Sequence, residues 1–366
     1  MKGFKAFGKG MICRGKQYAE NSTFEEAGAE TCCSENMMHF CETPFDCLDY
    51  YPLVDENGEL IEIAEVEALD KVVRDGNKRA SKKIKIGAKL SFRDFLKIGI
   101  QCIIESTKPS SSGDWAKIGS SGNGAKIGSS GDGAQIGSSG NGAQIGSSGD
   151  RTQIGSSGNG AKIGSSGNGA QIGSSGNRAQ IGSSGNRTQI GSSGDWAKIG
   201  SSGDWAKIGS SGDGAQIGSS GYGAKVGSSG DGAKIGSSGN GAQIGSSGDG
   251  AKIGSSGDWA QIGSSGDGAK IGSSGNGAQI GSSGDGAKIG SSGDWAQIGS
   301  SGDGAVISAI GVKSMIKAKI GSWITLAEYD EVRKPICVKS ALIDGENLLP
   351  DVFYTLRNGE FVPVPD

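Results

Sequence analysis

The one histidine of the chain, His39, stands among thiols in Cys32-Cys33-Ser34-Glu35-Asn36-Met37-Met38-His39-Phe40-Cys41. Cys and His together can hold zinc, but this spacing lacks the paired C-x-x-C and H-x-x-x-H patterns of structural zinc sites. The segment reads better as a buried His beside structural thiols, and we expect neither a metal nor a cofactor. A Ser-His-Asp or Cys-His centre would rest wholly on His39. The abundant glycines form no phosphate loop or dinucleotide fingerprint, because the alternating helices those motifs need are missing.

A second set of candidate residues lies in a nine-residue unit, G-S-S-G-[D/N]-G-A-[K/Q]-I, repeated about twenty-two times between Asp114 and Ile307. Its period equals that of calcium-loading toxin repeats, G-G-x-G-x-D-x-U-x. The second Gly is Ser here, the acidic residue comes one position early, and Asn or Tyr replaces it in nine of about twenty-two copies. Calcium needs several oxygens of dependable charge, so a turn role for Asp and Asn is expected instead. Thr occurs in the tract only at Thr152 and Thr188, which excludes the Thr ranks of an ice-binding face, and Lys offsets Asp enough to argue against nucleic-acid mimicry.

The large side chains of the tract are unevenly placed. Trp115, Arg151, Arg187, Trp205, Tyr222, Trp259 and Trp295 share one parity of the nonapeptide, and Arg178 and Trp196 the other. Trp, Tyr and Arg are the usual anchors of protein interfaces. They also stack on bases and contact phosphates, but the net charge of −3 gives no field that would favour nucleic acid. These seven residues are therefore the candidate partner-binding set.

The element that positions them follows from the repeat. In Ala-[Lys/Gln]-Ile-Gly-Ser the inward positions are Ala and Ile and the outward one is Lys or Gln, a period-two strand. Gly-[Asp/Asn]-Gly turns the corner, and the Ser hydroxyls are expected to bond turn backbone or the same Ser one coil away. Nine residues are too few to enclose a core; two units, 18 residues, give facing strands. From Gln243 to Gln297 the outward residue alternates Gln and Lys, which would put Lys on one face and Gln on the other; the earlier repeats do not keep this alternation. The fold expected is mainly β: a parallel β-solenoid of about 18 residues per coil, with a small α+β N-terminal domain and a short β-rich C-terminal cap.

We divide the chain into a head and N-terminal cap (1–105), a junction (106–113), the solenoid (114–316) and a C-terminal cap (317–366). In the head, Asn57-Gly58 signals a turn, and the apolar phase shifts from Ile61 and Ile63 to Ala64, Val66 and Ala68, which predicts a bulge. Residues 91–105 read as a helix capped by Ser91 that covers the first coil. The tail reads as strands at 323–329, 336–343, 353–356 and 361–364, the last pair around an Asn358-Gly359 turn. No apolar leader precedes the seven cysteines, and no segment approaches the length of a membrane span. Free thiols and a cytoplasmic location are expected.

The ends of the chain resemble a family of phage and prophage proteins. The resemblance rests on Lys2-Gly3-Phe4-Lys5-Ala6-Phe7, Cys13-Arg14-Gly15-Lys16-Gln17-Tyr18, His39-Phe40-Cys41-Glu42-Thr43-Pro44, Tyr50-Tyr51, Ala64-Glu65-Val66-Glu67-Ala68 and Gly321-Ser322-Trp323-Ile324-Thr325-Leu326-Ala327-Glu328-Tyr329-Asp330. The resemblance itself implies no activity; the repeat leads us to expect a non-enzymatic structural or interaction protein of phage or prophage origin, with a protein partner and a homo-oligomer formed through head or tail as an option. His39-Phe40 followed by Tyr50 is also similar to minimal ADP-ribosyltransferase folds, which implies a rival in which an enzymatic head rides on the rod. A nucleic-acid or host-defence binder is the third reading.

Overall fold

The computed structural model describes residues 1–27, 37–55, 58–106, 109–111 and 113–364. Cys32, Cys33 and Asn57 lie outside these, so the zinc reading of that segment and the Asn57 half of its turn are not addressed. The repeats form a parallel β-solenoid of about 12 turns with about 18 residues per turn. Each nonapeptide supplies one four-residue strand, and successive strands fall alternately into two facing sheets of 14 strands. Register is locked to the repeat: Ile145 pairs with Ile163 and Ile163 with Ile181, and Gly146 pairs with Gly164 and Gly164 with Gly182. The inward Ile and Ala side chains are buried along the rod as one continuous core, each Ile contributing about 1.5–3 kcal/mol.

Three glycines per unit have three different jobs. The one before Asp or Asn is sterically obligatory: a Cβ on Gly149 would lie 2.0 Å from the Gly131 carbonyl oxygen of the preceding coil. The one after it takes positive φ, as at Gly160 (67°). The third, in Ile-Gly-Ser, faces outward and leaves a shallow trough along each sheet. The Asp and Asn residues stack as the turn reading expects. Their Oδ1 atoms accept the backbone N–H of the equivalent residue one coil on, for example Asp150 N–H to Asp132 at 2.8 Å and Asn159 N–H to Asn141 at 2.9 Å.

The inward Ser hydroxyls do not behave as expected. Stacked Ser residues are one strand spacing apart, about 4.8 Å, too far for a hydrogen bond between hydroxyls. Most of this rank, from Ser129 to Ser300, is buried without a hydrogen-bond partner. The rank ends in Ala309 and Ala318, both fully buried, in register with Ser291 and Ser300.

The head is a seven-stranded antiparallel sheet in the order Thr23–Glu25, Lys83–Leu90, Glu62–Ala68, Lys2–Phe7, Met38–Cys41, Lys78–Ser81, Val72–Asp75. The register shift between Ala64 and Val66 is the predicted bulge; it keeps Ile63, Ala64, Val66 and Ala68 all buried. The helix α1, Phe92–Ser106, follows. Ser91 caps it, its Oγ accepting the Asp94 N–H at 3.1 Å and donating to the Asp94 carboxylate at 2.6 Å.

α1 does not cover the first coil. It lies along the flat of one sheet, here called the near sheet, against the strands that begin at Gln144, Lys162, Gln180 and Lys198. The reason is the glycine trough. A Cβ on Gly182 would strike the Phe45 ring at 2.8 Å, on Gly200 the Leu96 side chain at 2.8 Å, and on Gly218 the Leu60 side chain at 2.9 Å. Ile100 reaches Gly164 and Phe92 reaches Gly200 and Gly218. From Phe92 to Ile100 the helix advances about 12 Å, close to the 10–14 Å of two to three coil steps. Polar contacts flank this apolar seam. Lys162 Nζ pairs with Asp46 at 3.0 Å, Gln180 donates to Asp49 at 2.8 Å, Lys198 donates to the Leu48 and Tyr51 carbonyls, and Leu53 N–H donates to Gln216 at 2.7 Å.

Both sheets end in antiparallel hairpins at the C-terminal end. Trp323–Tyr329 closes the near sheet and pairs with Pro335–Leu342; Phe353–Arg357 follows Met315–Ala318 in the far sheet and pairs with Glu360–Val364. These are the four strands expected of the tail. Asn358 (φ 50°) and Gly359 (φ 71°) make the predicted turn. Glu328 accepts both of their N–H groups, which clasps one hairpin to the other.

Two predictions follow from this packing. Gly182→Leu, on the near sheet, should loosen the head by about 1–3 kcal/mol, seen as faster hydrogen exchange in α1. Gly173→Leu on the far sheet, where an added Cβ meets nothing within 4 Å, should leave α1 protected. Ser201→Ala and Ser219→Ala remove buried hydroxyls whose burial costs about 1–3 kcal/mol each, so the melting temperature should hold or rise; a fall would mean that these hydroxyls are bonded.

Candidate interaction surfaces

The 18-residue coil brings Trp115, Arg151, Arg187, Trp205, Tyr222, Trp259 and Trp295 to one corner of the rod, and Arg178 and Trp196 to the opposite corner. All but Tyr222 occupy the positive-φ position after the Asp or Asn, with φ between 54° and 61°. An L-residue there costs about 1–2 kcal/mol. Tyr222 stands one residue earlier, in the Asp rank, and leaves that position to Gly223.

How a Trp is accommodated there was readable in the sequence but needs the coil length to be seen. A Trp ring covers the glycine one coil on. A Cβ on Gly133 would meet the Trp115 ring at 2.6 Å, on Gly223 the Trp205 ring at 2.8 Å, and on Gly277 the Trp259 ring at 2.6 Å. Trp196 does the same over Gly214 on the other corner, at 2.7 Å. Trp295 is followed instead by Lys313, whose Nζ sits 4.5 Å from the ring centroid. One ring face is thus held against the rod while the rest stays open: Trp115 is 72% exposed and Trp259 70%. Trp205 and Tyr222 meet edge to face at 5.3 Å. The corner therefore carries rigid aromatic plates interspersed with Arg side chains.

The opposite corner differs in charge. From Asp195 to Asp303 every member of its stacked turn rank is Asp. Three residues on, Lys234, Lys252, Lys270 and Lys288 stack on the near sheet, towards its C-terminal end. Acid and base thus balance in composition but are separated into parallel stripes, which reading the repeats one at a time does not reveal. Among the described residues no group of three His, Cys, Asp or Glu side chains could hold a metal ion.

The sorting of Lys and Gln expected beyond residue 243 is present. Gln243, Gln261, Gln279 and Gln297 stack on the far sheet, opposite the Lys rank. The irregular early repeats also resolve once sorted by sheet. On the far sheet Gln135, Gln153, Gln171 and Gln189 run unbroken. On the near sheet Lys126, Gln144, Lys162, Gln180, Lys198 and Gln216 alternate, and the four from Lys162 to Gln216 bind the head.

The head holds a cavity of about 500 Å³ lined by Lys5, Cys13, Tyr18, His39, Tyr50 and Tyr51 among others. The two residues of the transferase-like motif thus share one cavity. Lys5 is buried, donates to the His39 carbonyl at 2.9 Å, and lies 5.3 Å from the Tyr18 ring centroid. Burial lowers its pKa, partly countered by the Cys13 and Cys47 thiols. Burial pushes the Tyr18 hydroxyl up to about 12; a hydrogen bond with Cys41 and burial both raise Cys47. Cys13 Sγ lies 2.8 Å from the Tyr51 hydroxyl. Among the described cysteines, Cys13, Cys41, Cys47 and Cys337 are free thiols. No described helix is long and apolar enough to cross a membrane.

No curated protein and no solved structure matches the chain. Residues 1–98, the head sheet and the first half of α1, match the family model described as Domain of unknown function (DUF7666), so the chain carries a domain of that family at its N-terminus.

Proposed function

We propose that this is a non-enzymatic interaction protein of phage or prophage type: a rigid β-solenoid that presents the Trp, Tyr and Arg corner to a protein partner. The observation that carries this reading is the row itself. At a backbone position that suits Gly best and Asn next, the residues that replace Gly in the tract are Trp and Arg, and each Trp ring is braced by the coil that follows. Large, rigid, exposed side chains held without rotamer freedom are what an interface anchor needs. The phage or prophage assignment rests on the sequence resemblance at the two ends of the chain.

Variants Trp205→Gly, Trp259→Gly and Trp295→Gly, combined, remove three of the four Trp plates of the row and restore the residue its backbone prefers. They should leave the melting temperature within a few degrees of wild type and abolish capture of the partner from host lysate. Trp196→Gly, on the opposite corner, should leave capture intact. Identical capture by all of these proteins would refute the reading.

The cavity containing His39 and Tyr50 favours the transferase-like head as the second reading. Saturable NAD binding by calorimetry, lost on Tyr50→Ala, would support it and displace the first.

A further inference from the structure

The two sheets of the solenoid are built from the same repeat, so each carries an outward glycine rank and the trough that goes with it. On the near sheet the trough is filled from Gly164 to Gly254 by this chain's own Phe92, Leu96 and Ile100 from α1, with Phe45, Gly58 and Leu60 beside them, and is open only at Gly272 and Gly290. On the far sheet it is open. From Gly119 to Gly281 an added Cβ on any outward glycine of that sheet would meet nothing within 4 Å. Its walls are the Gln and Lys rank on one side and the exposed second Ser of each unit on the other. The backbone beneath is in the same register, with Gly155, Gly173 and Gly191 stacked as Gly164, Gly182 and Gly200 are.

We infer that the far trough is a docking groove for an amphipathic α-helix of a partner protein, seated as α1 is seated on the near side. The near interface supplies the chemistry of the occupant. Aliphatic or aromatic residues at i, i+4 and i+8 advance about 6 Å per step against a coil spacing of about 4.8 Å, so three of them fill the trough over two to three coils. The trough is too shallow to bury a side chain without help from the helix above it, which favours a row of knobs on one face over an isolated residue.

The flanking polar rank sets the rest of the specificity. On the near sheet Lys162 faces Asp46 and Asp49, so an acidic partner surface is matched there. On the far sheet Gln135 to Gln189 offer only neutral amides, followed by Lys207 and Lys225. The partner helix therefore carries uncharged hydrogen-bonding groups beside its apolar stripe, with an acidic group at the end that reaches Lys207 and Lys225. A second copy of this chain is a poor occupant, because its own α1 is already buried against its own near trough. The site is distinct from the aromatic corner and does not depend on it.

The probe is a fluorescein-labelled peptide of residues 91–106 carrying Cys102→Ser, added to the full-length protein and followed by anisotropy. The near trough is covered by the chain's own residues as far as Gly254 and open only at Gly272 and Gly290 beyond, so saturable binding that substitutions on the far sheet weaken reports the far one. Gly137→Leu, Gly173→Leu, Gly209→Leu, Gly245→Leu and Gly281→Leu together interrupt the far trough at every second coil without touching the core and should weaken binding at least about tenfold with an unchanged melting temperature. A peptide with Phe92, Leu96 and Ile100 replaced by Ser should not bind. The combined Trp205, Trp259 and Trp295 variant should bind the peptide as wild type does, which separates failure here from failure of the corner. No saturable binding to the wild-type protein would overturn the proposal, as would binding indifferent to these Leu substitutions. Self-association of the full chain that those substitutions abolish would also overturn it, since the occupant would then be a second copy.

Discussion

Every feature of the rod depends on one constraint: each residue of a coil is stacked in register on the residue 18 positions on. The buried Ile and Ala ranks hold that register, because a slip of one residue would turn Ile out and Lys in. Once it is held, any side chain choice becomes a line rather than a point. An outward Gly becomes a trough, an Asp becomes an acidic edge, and a Trp becomes a plate resting on the next coil. The inward Ser rank shows the same multiplication acting against stability, with unpartnered hydroxyls repeated along the rod.

The head uses this surface rather than capping it. An α-helix laid on a flat sheet buries little unless the sheet has a groove, and the glycine rank is that groove. Its apolar knobs fit the trough while Lys162, Gln180, Lys198 and Gln216 reach the loops on either side. Burial disfavours the charged amine of Lys162, but Asp46 and Asp49 outweigh it and hold its pKa above the usual lysine value. Lys198 faces backbone carbonyls, and burial leaves its pKa lowered. The head thus covers part of one face and leaves the other face and the aromatic corner open.

The sequence made the coil legible because its signals are periodic. The period gave the strand, the alternation beyond residue 243 gave two faces, and the parity of Trp and Arg gave one corner. What it hid depends on residues brought together from afar. Lys162 and Asp46 are 116 positions apart, so the Lys and Gln alternation of the near sheet looked like noise until the head was placed on it. The helix was read correctly from Ser91 and its apolar spacing, but where it docks depends on a groove that no local pattern announces. The stacking of Trp on Gly at +18 was visible in principle; it carries meaning only after the coil length is fixed. The Ser hydroxyls misled for a simpler reason: the strand spacing is too long for the bond expected of them.

The central claim is that one corner of a rigid rod is the face that a partner reads. A photo-cross-linking amino acid placed at Tyr222, and separately at Asp213 in the turn rank of the opposite corner, tests it in the host cell. The account predicts a discrete cross-linked adduct from position 222 and none from position 213. No adduct at 222, or equal adducts at both, would contradict it.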